Sequence, residues 1–477
     1  MGFSNIPKNL SFIGLSILFL YTGCDRQPEQ AINPHPNIIL IMADDMGWGD
    51  AGFQGNDTII TPNLDRLAGA GIRLNRFYAA APVCSPTRGS CLTGRHPYRY
   101  GIYGANVGKM KEAETTLAEA VKTLGYRTGH FGKWHLGTLT NDEIDANRGG
   151  RDSEVYAPPW EHGFDVCFST ESKVPTYDPM ITPGPDAGDI GNREPGTHFG
   201  TYYWTGPGEK VSDNLEGDDS RIIMDRVIPF IRSSIDKNQP FLSVIWFHTP
   251  HLPVLTGRKY LDMYRQYDDN VKHFYGCITA MDEQIGRLVR DLEDLEALDN
   301  TIIFFTSDNG PEGRERKDRT QGSTKGLRGR KRSLYEGGIR VPGLLYWPEK
   351  IRKAAEVNVP VSTSDYYPTI LDILKIDIPG QPVLDGISLL PMIEGKPYSR
   401  NKPIGFQSRK QQAFIDDRYK IYSSDRGESF ELYDIINDPE ETSDLSLQFP
   451  EIKDTLINQL NIWIESCKQS NKGHGDH

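Results

Sequence analysis

The sequence has little of what several classes of protein require. Six cysteines in 477 residues are too few for a disulfide-stabilised scaffold. The apolar stretch at residues 10–20 is shorter than the ~20 residues of a membrane-spanning helix. Acidic residues outnumber Lys and Arg by 65 to 53, and a net charge of −12 argues against a nucleic-acid partner. Without internal repeats or low-complexity tracts, the chain also differs from repeat proteins and disordered proteins.

What the sequence does contain is typical of a large enzyme. Hydrophobic residues make up 37% and charged residues 25%, which suffices for a sizeable core. The length allows two or three domains, or one large domain with an appendage. The 47 glycines and 32 prolines indicate that much of the chain forms loops.

The first residues are typical of a bacterial export signal. Lys8 precedes the apolar stretch, and residues 21–24 resemble a lipobox that ends in Cys24. We expect a signal peptide over residues 1–24 and a polar tether over 25–36. The protein would then be periplasmic or at the cell surface, with a lipid anchor in the outer membrane. An ordinary secretory signal with an incidental cysteine is the alternative.

Three apolar runs predict buried strands of a parallel sheet, at residues 37–42, 241–247 and 301–306. Apolar residues at three- and four-residue spacing predict helices at 116–124 and 267–298. Alternating strands and helices indicate an α/β fold, whose ligands bind beyond the carboxyl ends of the strands. Because polar residues follow all three strands, we expect a functional site at that edge.

The remaining segments suggest how the chain is divided. Residues 149–219 are rich in Gly, Pro and aromatics, and we interpret them as an insertion that shapes a pocket or as a surface loop. Residues 412–423 and 429–435 are typical of short strands, and 451–468 of an amphipathic helix. We therefore predict a catalytic domain over residues 37–395 and a smaller C-terminal α+β subdomain over 396–470.

An oxygen-rich set of residues follows two of the predicted strands. Asp44 and Asp45 come after the first, and Asp308 and Asn309 after the third. Carboxylate and amide oxygens are ligands for Ca²⁺ or Mg²⁺, and a cation would relieve the repulsion among three carboxylates. Taken singly, either pair is better interpreted as a strand-end cap or turn, since Asp and Asn favour such positions.

Residues 84–95, CSPTRGSCLTGR, resemble the signature of the type I sulfatases. Cys84, Pro86 and Arg88 match its Cys-x-Pro-x-Arg core, and the Leu-Thr-Gly-Arg tail follows. Thr87 and Cys91 are mild departures from the usual residues. Further blocks of the family follow in the expected order, at residues 36–45, 61–68, 125–137, 249–253, 307–310, 331–342 and 431–441.

The resemblance implies an alkaline-phosphatase-like sulfatase fold, with a large mixed sheet flanked by helices. In that family a formylglycine-generating or anaerobic sulfatase-maturating enzyme oxidises the cysteine to formylglycine (3-oxoalanine) on the unfolded chain. The aldehyde hydrate attacks sulfur, and the alcohol leaves. The roles carried over are Cys84 as the matured nucleophile, Arg88 and Lys133 holding it, His135 as base, His251 and Lys331 at the leaving oxygen and sulfate, and Ca²⁺ held by Asp44, Asp45, Cys84, Asp308 and Asn309.

The resemblance thus implies hydrolysis of sulfate esters, with a sulfated saccharide as substrate. Galactose- or N-acetylgalactosamine-type sulfates from algal galactans or host glycosaminoglycans are the sugars we expect. Two alternatives remain open: a phosphonate monoester or phosphodiester hydrolase of the same superfamily, and a non-catalytic surface glycan-binding protein.

Other residues admit two interpretations each. The basic run at residues 314–332 could attract a polyanionic substrate or form a solvated loop. His248 could be a second active-site histidine or a core residue with satisfied hydrogen bonds. Arg95 is expected to fix the helix that carries residue 84. The remaining cysteines of the mature chain are expected to be structural or incidental, with a disulfide as the alternative.

Overall fold

A computed structural model describes residues 1–2, 35–313 and 317–473 of the chain. The predicted signal peptide, Cys24 and nearly all of the tether lie outside the described residues, as do Arg314 and Arg316. Within the described ranges, no helix combines the length and the apolarity needed to cross a bilayer.

The elements alternate along most of the chain. The strands are β1 (Asn37–Ala43), β2 (Ile72–Leu74), β3 (Phe77–Tyr78), β4 (Arg127–Lys133), β5 (Val166–Thr170), β6 (Trp204–Gly206), β7 (Glu209–Lys210), β8 (Phe241–Trp246), β9 (Thr301–Ser307), β10 (Arg340–Val341), β11 (Gly343–Tyr346), β12 (Ala355–Val357), β13 (Val361–Ser362), β14 (Ile404–Ser408), β15 (Gln411–Ile415), β16 (Tyr419–Ser423) and β17 (Glu431–Asp434). The helices are α1 (Pro62–Ala70), α2 (Cys84–Thr93), α3 (Leu117–Lys122), α4 (Asp219–Asp236), α5 (Arg258–Met263), α6 (Asp269–Asp294), α7 (Glu336–Ile339), α8 (Tyr366–Leu374), α9 (Leu390–Ile393) and α10 (Pro450–Asn471).

Ten strands form one large mixed sheet, in the order β12-β2-β11-β9-β1-β8-β4-β5-β6-β7. Its five central strands, from β9 to β5, are all parallel. β11 joins them antiparallel at β9, and β6 joins antiparallel at β5. The sheet confirms the predicted fold class, and the three predicted strands of its centre begin and end within one residue of prediction.

Helices cover both faces of this sheet. Alternate residues of β1 point to opposite sides, because side chains alternate along a strand. Leu40 and Met42 pack with residues of α2, α3 and α8, whereas Ile39 and Ile41 pack with α1, α4 and α6. Full burial of such side chains stabilises the fold by about 1.5–3 kcal/mol each. The hydrophobic run of β1 is therefore needed for two cores at once.

Two strands contradict the sequence interpretation. β4 was not expected, since Gly129, His130 and Gly132 interrupt its apolar pattern. β5 lies inside the stretch interpreted as an insertion or loop, yet it pairs with β4 over five residues. Both strands are held by neighbours on the sheet rather than by a strong local pattern, which is why periodicity missed them.

The C-terminal subdomain is a four-stranded antiparallel sheet, β14-β15-β16-β17, with α10 on one face. Leu456, Leu460 and Ile464 of α10 are buried against it, which confirms the predicted apolar stripe. The other face packs on Tyr78 and Leu334 of the larger unit. The C-terminal sheet therefore shares a core with the part of the chain that carries the candidate site.

Candidate active site

The predicted site residues converge at the carboxyl edge of the parallel strands. Parallel strands end at one edge, and the helix that begins at Cys84 packs beneath it. The side chains come from four strand ends, one helix and one loop: Asp44 and Asp45 after β1, Lys133 and His135 at the end of β4, His251 after β8, Asp308 and Asn309 after β9, Cys84 and Arg88 in α2, and Lys331 in the loop before α7. We call these ten residues the floor.

Side chains that could bind a metal ion crowd one part of the floor. One ligand atom from each of Asp44, Asp45, Cys84 and His251 lies within 4.8 Å of the others. Burial, together with Asp44 and Asp308, raises the pKa of Asp45 to about 7, although Lys331 opposes the shift. Crowded buried carboxylates of this kind favour a bound cation.

Asn309 adds a second reason to expect a cation. Its amide nitrogen donates to Asp45 Oδ1 at 2.6 Å, while its Oδ1 is buried and accepts no hydrogen bond from the described residues. A buried carbonyl oxygen without a donor is costly unless it has another partner. Carboxylate and amide oxygens are the donor set of a hard divalent cation. The predicted ligands therefore fit Ca²⁺.

Three cations balance the carboxylates of the floor. Lys133 Nζ lies 2.6 Å from Asp44 Oδ2, and Lys331 Nζ lies 2.6 Å from Asp45 Oδ1. Arg88 donates to Asp308 Oδ2 at 2.7 Å. A second guanidinium nitrogen of Arg88 donates to the backbone carbonyl of Lys133 at 3.1 Å. These charges are buried and paired, and two of the three cations, Lys133 and Lys331, also line the cavity above the floor.

Cys84 is the first residue of α2 and is 2% exposed. Its Sγ lies 3.6 Å from Asp44 Oδ1. Burial and the nearby Asp308 raise the pKa of the thiol, despite Lys133 and Lys331. An unmodified thiol here remains protonated and is a poor nucleophile.

His135 is held in one tautomer by its neighbour. Its Nε2 lies 2.8 Å from Asn106 Oδ1, which also accepts from Asn147 Nδ2 at 3.1 Å. An amide oxygen only accepts, so Nε2 carries the proton and Nδ1 has the lone pair. Nδ1 is buried with no partner among the described residues. Burial, Lys133 and Arg148 lower the pKa of His135 well below 6.5, which keeps it a free base.

The other two histidines differ in role. His251 Nδ1 donates to the backbone carbonyl of Leu252 at 2.6 Å, so Nε2 faces Asp45 Oδ2 at 3.6 Å. His248 lies between Asp219 and Thr170, at 2.8 Å from each, and does not line the cavity. His248 is therefore a core histidine with satisfied hydrogen bonds.

Arg95 also has the structural role that was expected. Its Nε lies 3.3 Å from Glu114 Oε2, and both side chains are almost fully buried. The five cysteines of the described ranges, which exclude Cys24, are all free thiols. The disulfide alternative therefore has no support among them.

A cavity of about 480 Å³ opens above the floor. Its outer wall comes from loops and from the turn between β14 and β15, and we call this wall the mouth. The mouth consists of Tyr98, Tyr103, Asn106, Asn147, Ser172, Lys173, Asp189, Arg332, Ser408 and Arg409. Ser172, Lys173 and Asp189 belong to the 149–219 stretch, so that stretch does shape the pocket. Sequence reasoning otherwise missed the mouth, because its residues come from five separate loops without a shared motif.

Part of the basic run at residues 314–332 is bound to neighbouring parts of the protein. Arg319 donates to the carbonyl of Val254, and Arg330 donates to the carbonyls of Glu312 and Gly322. Arg328 stacks on Tyr335, with 3.8 Å from the guanidinium carbon to the ring centroid. These three cations hold a long loop in place. Lys331 and Arg332 of the same run line the cavity, and Arg314 and Arg316 lie outside the described residues, so attraction of a polyanionic substrate stays a prediction.

Comparison with known proteins bears on this geometry. A family model described as Sulfatase matches residues 36–376, and one described as N-sulphoglucosamine sulphohydrolase, C-terminal, matches residues 329–468. Mouse steryl-sulfatase is 30% identical over 456 residues, covering 82% of this chain and 70% of its own length. Human N-acetylgalactosamine-6-sulfatase is 32% identical over 386 residues, covering 76% of this chain and 67% of its own. The crystal structure of Ps i-CgsB in complex with k-i-k-neocarrahexaose superposes with a TM-score of 0.77 at 26% identity, over 93% of this chain and 95% of that one.

Proposed function

The chain belongs to the sulfatase family and hydrolyses sulfate esters, and from that premise we propose that it removes O-sulfate from a glycan through Cys84 matured to formylglycine. The observation that carries the proposal is the position of Cys84, 3.6 Å from Asp44 at the base of a cavity that three lysines and two histidines also line. Similarity to N-acetylgalactosamine-6-sulfatase and to a protein solved in complex with a neocarrahexaose supports a glycan substrate.

The floor divides the chemistry among its residues. When matured, residue 84 supplies an oxygen nucleophile that a thiol lacks. A bound Ca²⁺ supplies positive charge that neutralises and orients the sulfate oxygens. Lys133 at the end of β4 and Arg88 in α2 hold matured residue 84 and stabilise its charge, and Lys331 binds the sulfate.

Proton transfer falls to the two histidines. His135 Nδ1 has a lone pair and no competing partner, so it accepts the proton of residue 84 when sulfate is expelled. The leaving oxygen takes its proton from Lys331, which is cationic, or from His251 when both ring nitrogens of that residue are protonated, because the neutral ring has its proton on Nδ1 and only a lone pair on Nε2.

The test is release of inorganic sulfate from a panel of sulfated saccharides and 4-nitrophenyl sulfate. Wild type, Cys84→Ala and Cys91→Ala are each co-expressed with a maturation enzyme and supplied with Ca²⁺. Cys91 is a matched control, since it is buried in the same helix but does not line the cavity. We expect release by wild type and Cys91→Ala, with none by Cys84→Ala.

Mass spectrometry of residue 84 must accompany the assay. Formylglycine at residue 84 without sulfate release, together with turnover of a phosphodiester, would overturn the proposal in favour of a phosphodiester or phosphonate hydrolase. Sulfate release by Cys84→Ala would overturn the role given to residue 84.

We also propose that the enzyme is exported and anchored through a lipid on Cys24. The positive start, the short apolar stretch and the lipobox-like residues 21–24 support this. Cys24→Ser should move the protein from the membrane fraction to the soluble fraction, and an unchanged distribution would contradict the anchor.

A further inference from the structure

The turn between β14 and β15 brings one residue of the C-terminal subdomain into the mouth. Ser408 pairs with Gln411, so Arg409 and Lys410 form a two-residue hairpin turn. Arg409 lines the cavity above the floor and also a second cavity of about 790 Å³. Lys331 and Arg332 line both cavities as well, so Arg409 lies where the two adjoin.

The backbone of Arg409 has a conformation that arginine rarely adopts. Its φ is +56°, at the first position of a two-residue turn where glycine is the usual residue. A hydrogen bond joins the Tyr98 hydroxyl to the Arg409 backbone, and Gln411 Nε2 donates to the Arg332 carbonyl at 2.8 Å. The turn is therefore fixed against the mouth from both sides, with an exposed arginine at its tip.

The other cations of the mouth are already paired. Lys173 forms an ion pair with Asp189, and Arg332 forms one with Glu312. Arg409, by contrast, has no carboxylate partner and no side-chain hydrogen bond within the described part of the chain. A guanidinium held at a cavity entrance without a protein anion is suited to bind an anionic group of a ligand.

An aromatic wall lies in the same mouth. The rings of Tyr98 and Tyr103 meet edge to face, with centroids 4.8 Å apart, and Tyr103 is 42% exposed. Aromatic faces provide amphipathic surface for the apolar side of a sugar ring. A sugar in the mouth could therefore contact this wall while a charged substituent reaches Arg409.

We propose that Arg409 binds a second anionic group of the substrate, so that the enzyme prefers glycans with an anion beyond the sulfate ester that it cleaves. This inference rests on the proposed function, since the cleaved sulfate occupies the floor. The second anion is a sulfate or a uronate carboxylate, because a guanidinium fork matches both.

The test uses inhibition of 4-nitrophenyl sulfate hydrolysis, which reports saccharide binding whether or not the saccharide is cleaved. Two pairs of disaccharides are compared, and one member of each pair carries a single sulfate as its only anionic group. One pair differs by a second sulfate, and the other by a uronate in place of a neutral hexose. For each enzyme variant, the readout is the ratio of inhibition constants within a pair.

The variants are chosen to fold. Arg409→Asn removes the cation and suits a positive φ, Arg409→Lys keeps the charge without the fork, and Lys410→Asn is the matched control at the next position. In wild type we expect about a tenfold preference for the doubly anionic member of one pair. Arg409→Asn should reduce that ratio to about one, Arg409→Lys should give an intermediate ratio, and Lys410→Asn should leave it unchanged.

The pair that responds identifies the second anion. The proposal is overturned if Arg409→Asn leaves both ratios as in wild type, or if Lys410→Asn changes them as much. Failure of wild type to hydrolyse 4-nitrophenyl sulfate would count against the proposed function instead. Direct titration of the same disaccharides into wild type, Arg409→Asn and Lys410→Asn would then still test Arg409.

Discussion

The floor and the mouth of the cavity differ in where their residues lie in the fold, in burial and in the pairing of their charges. Most floor residues lie at the ends of buried strands. Their charges are paired at short distances, as in Arg88 with Asp308 at 2.7 Å. Mouth residues lie on loops, and some remain exposed, as Tyr103 and Arg409 do. Changes in the floor should therefore abolish turnover, while changes in the mouth should alter substrate preference.

The largest effect is expected from removing the cation. Chelation should lower the rate of sulfate release by at least about 10³-fold, since a metal contributes several kcal/mol of charge stabilisation, and Ca²⁺ should restore it. Ca²⁺ at about 100 times its Kd should also raise the free energy of unfolding of the wild type by about 2.7 kcal/mol. Asn309→Leu, which lacks the unpartnered carbonyl, should lose this stabilisation. The exposed Asn401→Leu is the control, and an equal Ca²⁺ response in both variants would remove Asn309 from the site.

The next prediction concerns Lys420, which connects the C-terminal subdomain, with its turn between β14 and β15, to the part of the chain that carries the floor. It lies fully buried between Glu336 at 3.0 Å and Glu441 at 2.8 Å. Lys420→Met should lower the free energy of unfolding by about 3–5 kcal/mol, because two buried carboxylates lose their cation. Burial already raises the pKa of Glu441 to about 7 even with Lys420 in place.

The pH dependence of that loss has a definite sign. A carboxylate with a raised folded-state pKa favours folding at low pH and disfavours it as the pH rises through that pKa. In denaturant titrations, the loss in free energy of unfolding that Lys420→Met causes relative to wild type should therefore be larger at pH 8 than at pH 5. Lys410→Met, in the same sheet but exposed, serves as control. A deficit below about 1 kcal/mol for Lys420→Met would contradict the prediction.

Asn106 does not fit the division between floor and mouth, since it is a mouth residue whose hydrogen bond fixes the tautomer of His135 in the floor. Asn106→Gly suits the local φ of +60° and removes the acceptor of His135 Nε2–H. We expect kcat to fall about 10–100-fold with little change in KM, as when a functional histidine loses the hydrogen-bond partner that orients its ring. Asn106→Asp keeps the acceptor and adds charge, so it should recover much of the rate and raise the pH of the acid limb. A change in KM alone would assign Asn106 to substrate binding.

Substitution of Tyr103 should give the smallest effect, and it tests whether a mouth residue affects KM without affecting kcat. Tyr103→Ala removes apolar ring surface worth about 1 kcal/mol, so KM for a saccharide should rise about fivefold with kcat unchanged. Tyr103→Phe keeps the ring and should behave as wild type. A fall in kcat in both variants would instead indicate that the hydroxyl, which accepts from Asn471, supports the floor.

Sequence reasoning reached the floor because its residues follow continuous apolar strands or belong to one family signature. Asp44 and Asp308 come directly after β1 and β9, where an α/β sheet places its ligands. It missed β4 and β5, whose glycines and polar residues depend on sheet neighbours for their conformation. It also missed Asn106 and Arg409, since each is a single polar residue in a turn, and only the tertiary structure brings them to the cavity.

The hydrogen bonds of Gln411 bear on the order in which the segments around the site are assembled. Its side chain donates to the Arg332 carbonyl and accepts from the Leu334 backbone amide at 2.9 Å, bracketing the segment next to Lys331. Gln411 follows Arg332 by 79 residues. During synthesis, the segment that carries Lys331 therefore emerges long before its bracket exists. The segment next to Lys331 can thus reach its hydrogen-bonded arrangement only after residue 411 has been synthesised.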